Sequence, residues 1–164
     1  VGRFNEVKNH MGMLDILQPI LYKVKNKKLI LLGKGELEEN IQDKAKELKI
    51  DSQILFLGAR DNVNEYYQAM DVFILPSKFE GLPIVGIEAQ ASGLKCIFSD
   101  NVTKEVDITK NSIFISTNKK KKWVKTILEI ENKGYIRKNE KNKNVKNKYD
   151  LKSEINKIEK IYLN

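Results

Sequence analysis

Phe73-Ile74-Leu75-Pro76-Ser77-Lys78-Phe79-Glu80-Gly81-Leu82-Pro83-Ile84-Val85-Gly86-Ile87-Glu88-Ala89 decides the fold of this chain. A short apolar run ends in Pro-Ser, a loop carries Glu80, and a helix is expected to open at Leu82-Pro83. Glu88 follows Glu80 by eight positions and falls on that helix. Two carboxylates therefore flank one helix N-terminus. Such an end attracts anions, because its first N–H groups lack intrahelical partners and its dipole end is positive. Hydroxyl-binding acids beside a phosphate-binding helix end suit a sugar nucleotide. A plain strand–loop–helix with two exposed acids does not require Pro-Ser, Glu-Gly-Leu-Pro and Glu-Ala together at these offsets.

Outward from this stretch, short apolar runs alternate with amphipathic segments. The runs are Lys28–Leu32, Gln53–Leu57, Asp71–Leu75, Lys95–Phe98 and Ser112–Ile115. They are apolar throughout, as strands buried on both faces are. Helical spacing marks His10–Lys25, with Met13, Leu14, Leu17, Leu21 and Val24, and Glu36–Lys49, with Leu37, Ile41, Ala45 and Leu48. A shorter helix is expected over Asn64–Met70. Others are expected over Ile84–Ser92, stopped by Gly93, and over Trp123–Glu131. The βαβα order predicts an α/β fold with a Rossmann-like, doubly wound parallel sheet. Asn132–Lys148 is polar and weakly patterned, whereas Tyr149–Leu163 carries Leu151, Ile155, Ile158, Ile161 and Tyr162 at helical spacing.

Composition sets outer bounds. The 164 residues, 41% of them hydrophobic, suffice for one domain with a core. There is no apolar run of transmembrane length and no signal-peptide pattern at Val1–Phe4. Cys96 is the single cysteine, so no internal disulfide is possible; an inert, buried thiol is expected. The formal net charge is +8. Its lysines concentrate at Lys119–Lys122 and between Lys133 and Lys148, interleaved with Asn. Aromatic residues are sparse there, which argues against a nucleic-acid platform. A solvated surface is favoured, with weak attraction to acidic lipid as its functional alternative.

The Phe73–Ala89 stretch resembles the donor-site motif of the GT-B glycosyltransferases of family 4, a retaining family whose two glutamates form an E-x7-E signature. The resemblance covers essentially the whole chain. Ser99-Asp100-Asn101-Val102-Thr103-Lys104-Glu105-Val106-Asp107 resembles the bacterial members that assemble capsules and exopolysaccharides. It implies the C-terminal, donor-binding half of a two-domain enzyme. Residues 1–148 would be the nucleotide-sugar domain, with Val1-Gly2-Arg3 as the tail of its first strand. Residues 149–164 would form a helix crossing to an N-terminal domain that holds the site for a glycan or lipid-linked acceptor. A cytoplasmic location, peripheral at the inner membrane face, would follow.

The resemblance also implies roles. Arg3 and Lys8 match the family's phosphate-binding pair: an Arg fork binds oxygens bidentately and Lys adds a point charge. Gly33 and Gly35, in a Gly-x-Gly turn, would lie beside the nucleotide. Leu57–Val63 resembles the loop that holds the base, through main chain at Arg60 and Val63. Glu88 would accept hydrogen bonds from the ribose hydroxyls. Glu80 would sit by the transferred hexosyl group as the catalytic acid residue, orienting hydroxyls or supporting charge in the transition state. N–H groups at Gly81, Leu82 and Ile84 would meet sugar or phosphate. The donor implied is a UDP- or GDP-sugar. No Asp-x-Asp occurs, so no metal or other cofactor is expected. His10, the sole histidine, reads as a surface or capping residue. Two rivals share part of this pattern: a sugar-nucleotide epimerase, and a non-catalytic nucleotide-binding or membrane-surface module.

Overall fold

The computed structural model describes residues 1–134 and, beyond them, Ile155, Asn156, Glu159, Lys160 and Tyr162, which are helical. Five helices and five strands follow one another through residues 10–132. They are α1 (His10–Lys23), β1 (Leu29–Leu31), α2 (Glu38–Glu47), β2 (Ile54–Phe56), α3 (Val63–Ala69), β3 (Val72–Leu75), α4 (Ile84–Ala91), β4 (Lys95–Ser99), β5 (Ile113–Ile115) and α5 (Lys120–Asn132). Every strand and helix expected over these residues forms, mostly within two residues of its expected ends. Helix α5 starts three residues early, at Lys120, because a lysine run has no intrinsic objection to helix.

All pairings are parallel. Leu29 lies opposite Ile54, Val72 opposite Lys95, and Ile97 opposite Ile113. The strands form two sheets, β1-β2 and β3-β4-β5. Between them runs a groove of about 650 Å³ whose walls include Leu29, Ile30, Val72, Ile74 and Val1. Among the described residues no strand bridges this gap, so the expected sheet is divided there.

Side-chain alternation builds a core on each face. On β3, Phe73 and Leu75 enter one cluster while Val72 and Ile74 pack against the other. On β4, Cys96 and Phe98 face the first and Ile97 the second. Tyr67 of α3 and Ile87 of α4 cover one side. Leu14 and Leu17 of α1, Ile41 of α2 and Trp123 of α5 cover the other. This is the doubly wound, Rossmann-like arrangement. Helix α4 lies close to β4 because residue 86 is glycine: a Cβ there would stand 2.9 Å from the Phe98 ring and from Val106.

Two expectations need correction. Leu55, in the middle of β2, is 40% exposed, so that strand is not buried on both faces. His10 is not a surface residue. It is 3% exposed, its ring edge-on to Phe4 at 4.8 Å, and its Nδ1 has no hydrogen-bond partner among the described residues. Burial, then the N-terminal amine and Lys8, lower its pKa to about 4. Cys96 is buried, as expected, and burial pushes its thiol pKa far up, which keeps it protonated and inert. Among the described residues no helix is long and apolar enough to cross a membrane. The Lys/Asn-rich stretch lies outside the described residues from Tyr135 onward.

Candidate donor site

Three loops meet at the carboxyl ends of the parallel strands, where open α/β sheets place their ligands. The segment 1–9 ties them together. Gly2 N donates to Leu32 O and Phe4 N to Lys34 O, which joins it to the β1–α2 loop. Lys78 N donates to Val7 O, which joins it to the β3–α4 loop. Gly33 N donates to Gly58 O, bringing in the loop after β2.

Asn9 fixes the end of this segment. It is left-handed, with φ of 55°, and its Oδ1 accepts from Gly12 N to cap α1. Its Nδ2 donates to Pro76 O at 2.9 Å. Gly12 leaves room for this cap, since a Cβ there would lie 2.6 Å from Asn9 Oδ1. Lys8 N donates to Asn5 Oδ1. The backbone at Lys8 and at its neighbour Asn9 is therefore pinned by side-chain bonds, and the Lys8 side chain can be aimed.

It is aimed at Glu80. Lys8 Nζ lies 2.5 Å from Glu80 Oε1, with the two side chains only 17% and 14% exposed. Ser77 Oγ donates to the same oxygen at 3.1 Å. Ser77 is itself buried, and its carbonyl accepts from Ser99 Oγ at 2.6 Å. Glu80 N donates to Asn101 O, and Glu80 bridges Val102 in parallel. The Pro-Ser pair thus has a physical reason. Pro76 ends the strand where an N–H is not needed, and Ser77 orients the glutamate three residues on.

Glu88 lies one turn into α4 and is bound to a different partner. Tyr67 Oη approaches Glu88 Oε2 at 3.1 Å and Val85 O at 3.2 Å. Helix α4 begins at Ile84 with Pro83 as its cap residue, and no side chain caps it. Gly81 is open, with nothing within 4 Å of a Cβ placed there. Beside it Phe79, Leu82 and Ile84 are 71%, 43% and 67% exposed, so none of the three is core packing.

The remaining expected site residues sit differently. Arg3 is exposed and pairs with Glu36 at 3.4 Å. Gly33 and Gly35 are spent on the chain itself. A Cβ at Gly33 would lie 1.9 Å from Gly2 O, and one at Gly35 would lie 2.3 Å from Phe4 O. The close approach that these glycines permit is to residues 2–4. Arg60 is exposed on the loop after β2, and Val63 opens α3 against the second core. Glu105 is exposed on a short turn over Lys104–Val106. Sequence reasoning missed the roles of Ser77, Asn9 and Tyr67: Asn9 and Tyr67 act through distant partners, Pro76 and Glu88, whereas Ser77 acts on Glu80 only three residues on, a spacing the loop sequence did display. Among the described residues no three His, Cys, Asp or Glu side chains gather as a metal-binding group.

A family profile described as "Glycosyl transferases group 1" matches residues 1–150. The chain belongs to this family. EpsF of Bacillus subtilis, a glycosyltransferase by name, is 43% identical over 107 residues, which is 65% of this chain and 28% of that protein. The Escherichia coli UDP-Gal:alpha-D-GlcNAc-diphosphoundecaprenol alpha-1,3-galactosyltransferase is 27% identical over 173 aligned positions, covering 99% of this chain and 44% of its own. The chain thus spans less than half the length of these two relatives. Among solved structures, the C-terminal domain of the group 1 family protein LpcC from Francisella tularensis superposes with a TM-score of 0.75 at 19% identity. That match covers 92% of this chain and 84% of the other. The fold is that of one half of a GT-B glycosyltransferase.

Proposed function

We propose that this chain is the nucleotide-sugar-binding part of a retaining hexosyltransferase that builds surface polysaccharide on a glycan or lipid-linked acceptor. The observation that carries the reading is the Lys8–Glu80–Ser77 contact at the carboxyl ends of the strands, in a chain of this family. Lys8 supplies a mobile positive charge for a diphosphate, helped by the N-terminus of α4. Glu80 touches that lysine, so its carboxylate belongs where phosphate meets sugar. There it can orient sugar hydroxyls and favour the positive charge that develops as the glycosidic bond to phosphate breaks. Glu88, on the next turns of the helix, takes the ribose. Open main chain at Gly81 and the exposed Leu82 and Ile84 line the approach. UDP is favoured over GDP because the E. coli relative is named for a UDP-sugar. Arg3 reaches the phosphates only by leaving Glu36. Ile155 and Tyr162, helical and exposed, offer apolar surface on which another domain would dock.

A thermal-shift series with UDP- and GDP-sugars tests this reading. A ligand that binds only the folded state raises Tm. UDP-hexoses are expected to do so, with and without EDTA, since Lys8 and the helix end take the place of a cation. Absence of any shift across the panel, or a strict need for Mg²⁺ or Mn²⁺, would count against it.

A further inference from the structure

We propose that Tyr67 is the positioning residue for Glu88, holding its carboxylate in the one orientation that meets a ribose. The inference rests on the reading of Glu88 as the ribose acceptor. Tyr67 is 1% exposed on α3, and its ring packs edge-on to Phe73 of β3 at 6.0 Å. The ring is fixed, and so the hydroxyl at its tip is fixed too. That hydroxyl faces two acceptors, Glu88 Oε2 and Val85 O, on successive turns of α4. Neither acceptor can donate, so the phenol must. A charged acceptor binds a donor about twice as strongly as a neutral one, so the proton favours the carboxylate. Burial, then the charge of Glu88, raise the phenol's pKa, so the donor persists at any working pH.

Packing alone does not call for the hydroxyl. Phenylalanine would fill the same core volume and bury no hydroxyl. Glu88 is otherwise an exposed glutamate with three rotatable side-chain bonds. With Oε2 engaged by the phenol, the second carboxylate oxygen supplies lone pairs for a ribose. A ligand then meets a carboxylate that has already lost its rotamer freedom. Preorganisation of one such side chain is worth roughly three- to tenfold in affinity.

The test is a double-mutant cycle read by calorimetry, with UDP, GDP and inorganic pyrophosphate as probes. Tyr67→Phe is expected to weaken the nucleotide three- to tenfold and to leave pyrophosphate unchanged. In a Glu88→Ala background, Tyr67→Phe is expected to have no further effect. A structural role alone would weaken binding equally in both backgrounds, and that result overturns the proposal. If Glu88→Ala weakens the nucleotide but Tyr67→Phe does not, the positioning role is lost while the ribose reading survives. If Glu88→Ala changes nothing, the ribose reading fails and takes this inference with it. Melting temperatures of all variants identify any loss due to unfolding, and Tyr67→Met repeats the test should the Phe variant be unstable.

Discussion

Two strand-to-helix loops, residues 32–37 after β1 and 76–83 after β3, look alike in sequence and do opposite work. Both place glycine between an apolar strand and a helix. In the first, both glycines are closed in by backbone: Gly33 by Gly2 and Gly35 by Phe4. In the second, Gly81 faces open space, and the neighbouring side chains leave their apolar surface in solvent. The first loop is used up in holding segment 1–9. The second is held by that segment and keeps its own surface free. A glycine signals close approach, but only structure tells whether the approaching group is ligand or chain.

The largest test of this contrast is a pair of alanines. Gly33→Ala sets a Cβ into Gly2 O at a backbone φ of 141°, a conformation that L-residues rarely adopt. Neither backbone group can yield cheaply. The expected loss is about 4 kcal/mol or more, or a Tm lower by roughly 8–16 °C. Gly81→Ala has no such clash and should alter stability by less than about 0.5 kcal/mol. Equal losses in thermal melts would erase the distinction between the loops.

Much of this fold could be read from the sequence. Strands such as Val72–Leu75 are legible because both faces are buried, which leaves an unbroken apolar run. Helix α2 is legible because Ile41 and Ala45 fall on one face. Glu80 and Glu88 could be singled out because their spacing puts both beside one helix end. What stayed hidden depends on contacts between distant residues. Nothing local marks Tyr67 as the partner of Glu88, 21 residues on, whereas the Ser77–Glu80 contact spans only three residues and lay within reach of the loop sequence. Nor does anything local show that Phe4 would claim the space beside Gly35. His10 failed for the same reason. A histidine at a helix start reads as a cap, yet Asn9 takes the cap and the imidazole turns inward against Phe4.

His10 supplies the next test, since it sits behind the segment that both loops share. Its pKa of about 4 in the folded chain lies below the ordinary value of 6.5. The unfolded chain therefore takes up the proton first as pH falls. The stability due to the neutral, buried ring is complete above about pH 6.5 and is lost toward pH 4, by roughly 3 kcal/mol. Urea unfolding of wild type and His10→Met at pH 7, 5.5 and 4.5 checks this. The difference between the two proteins should shift toward the variant as pH falls. A constant difference would mean that the imidazole does not titrate in this window.

Lys8 sharpens the contrast on the ligand side. Lys8→Ala removes the charge that the β3–α4 loop is built to present. Charge-assisted contacts are worth roughly 1.5–3 kcal/mol, so UDP affinity should fall about ten- to a hundredfold. Arg3→Ala, at an exposed residue paired outside the cluster, should cost less. Calorimetry that ranks Arg3 above Lys8 would shift the phosphate site toward the β1–α2 loop.

The smallest expected effect, Glu80→Gln with free UDP, discriminates most finely. Glu80 is bonded to the lysine that a diphosphate would need. It therefore competes for Lys8 in the empty site, and its negative charge repels an incoming phosphate. The amide variant loses that competition and that repulsion together. UDP should bind the variant as well as wild type, or a few-fold more tightly, even though the residue proposed to act on the sugar has been changed. A UDP-hexose gains less, because the amide is a poorer acceptor for sugar hydroxyls than a carboxylate. The ratio of the two affinities, more than either alone, reports where Glu80 acts. If Glu80→Gln weakened UDP and UDP-hexose by the same factor, Glu80 would serve only to hold Lys8 in place. The assignment of the sugar end to this loop would then be wrong.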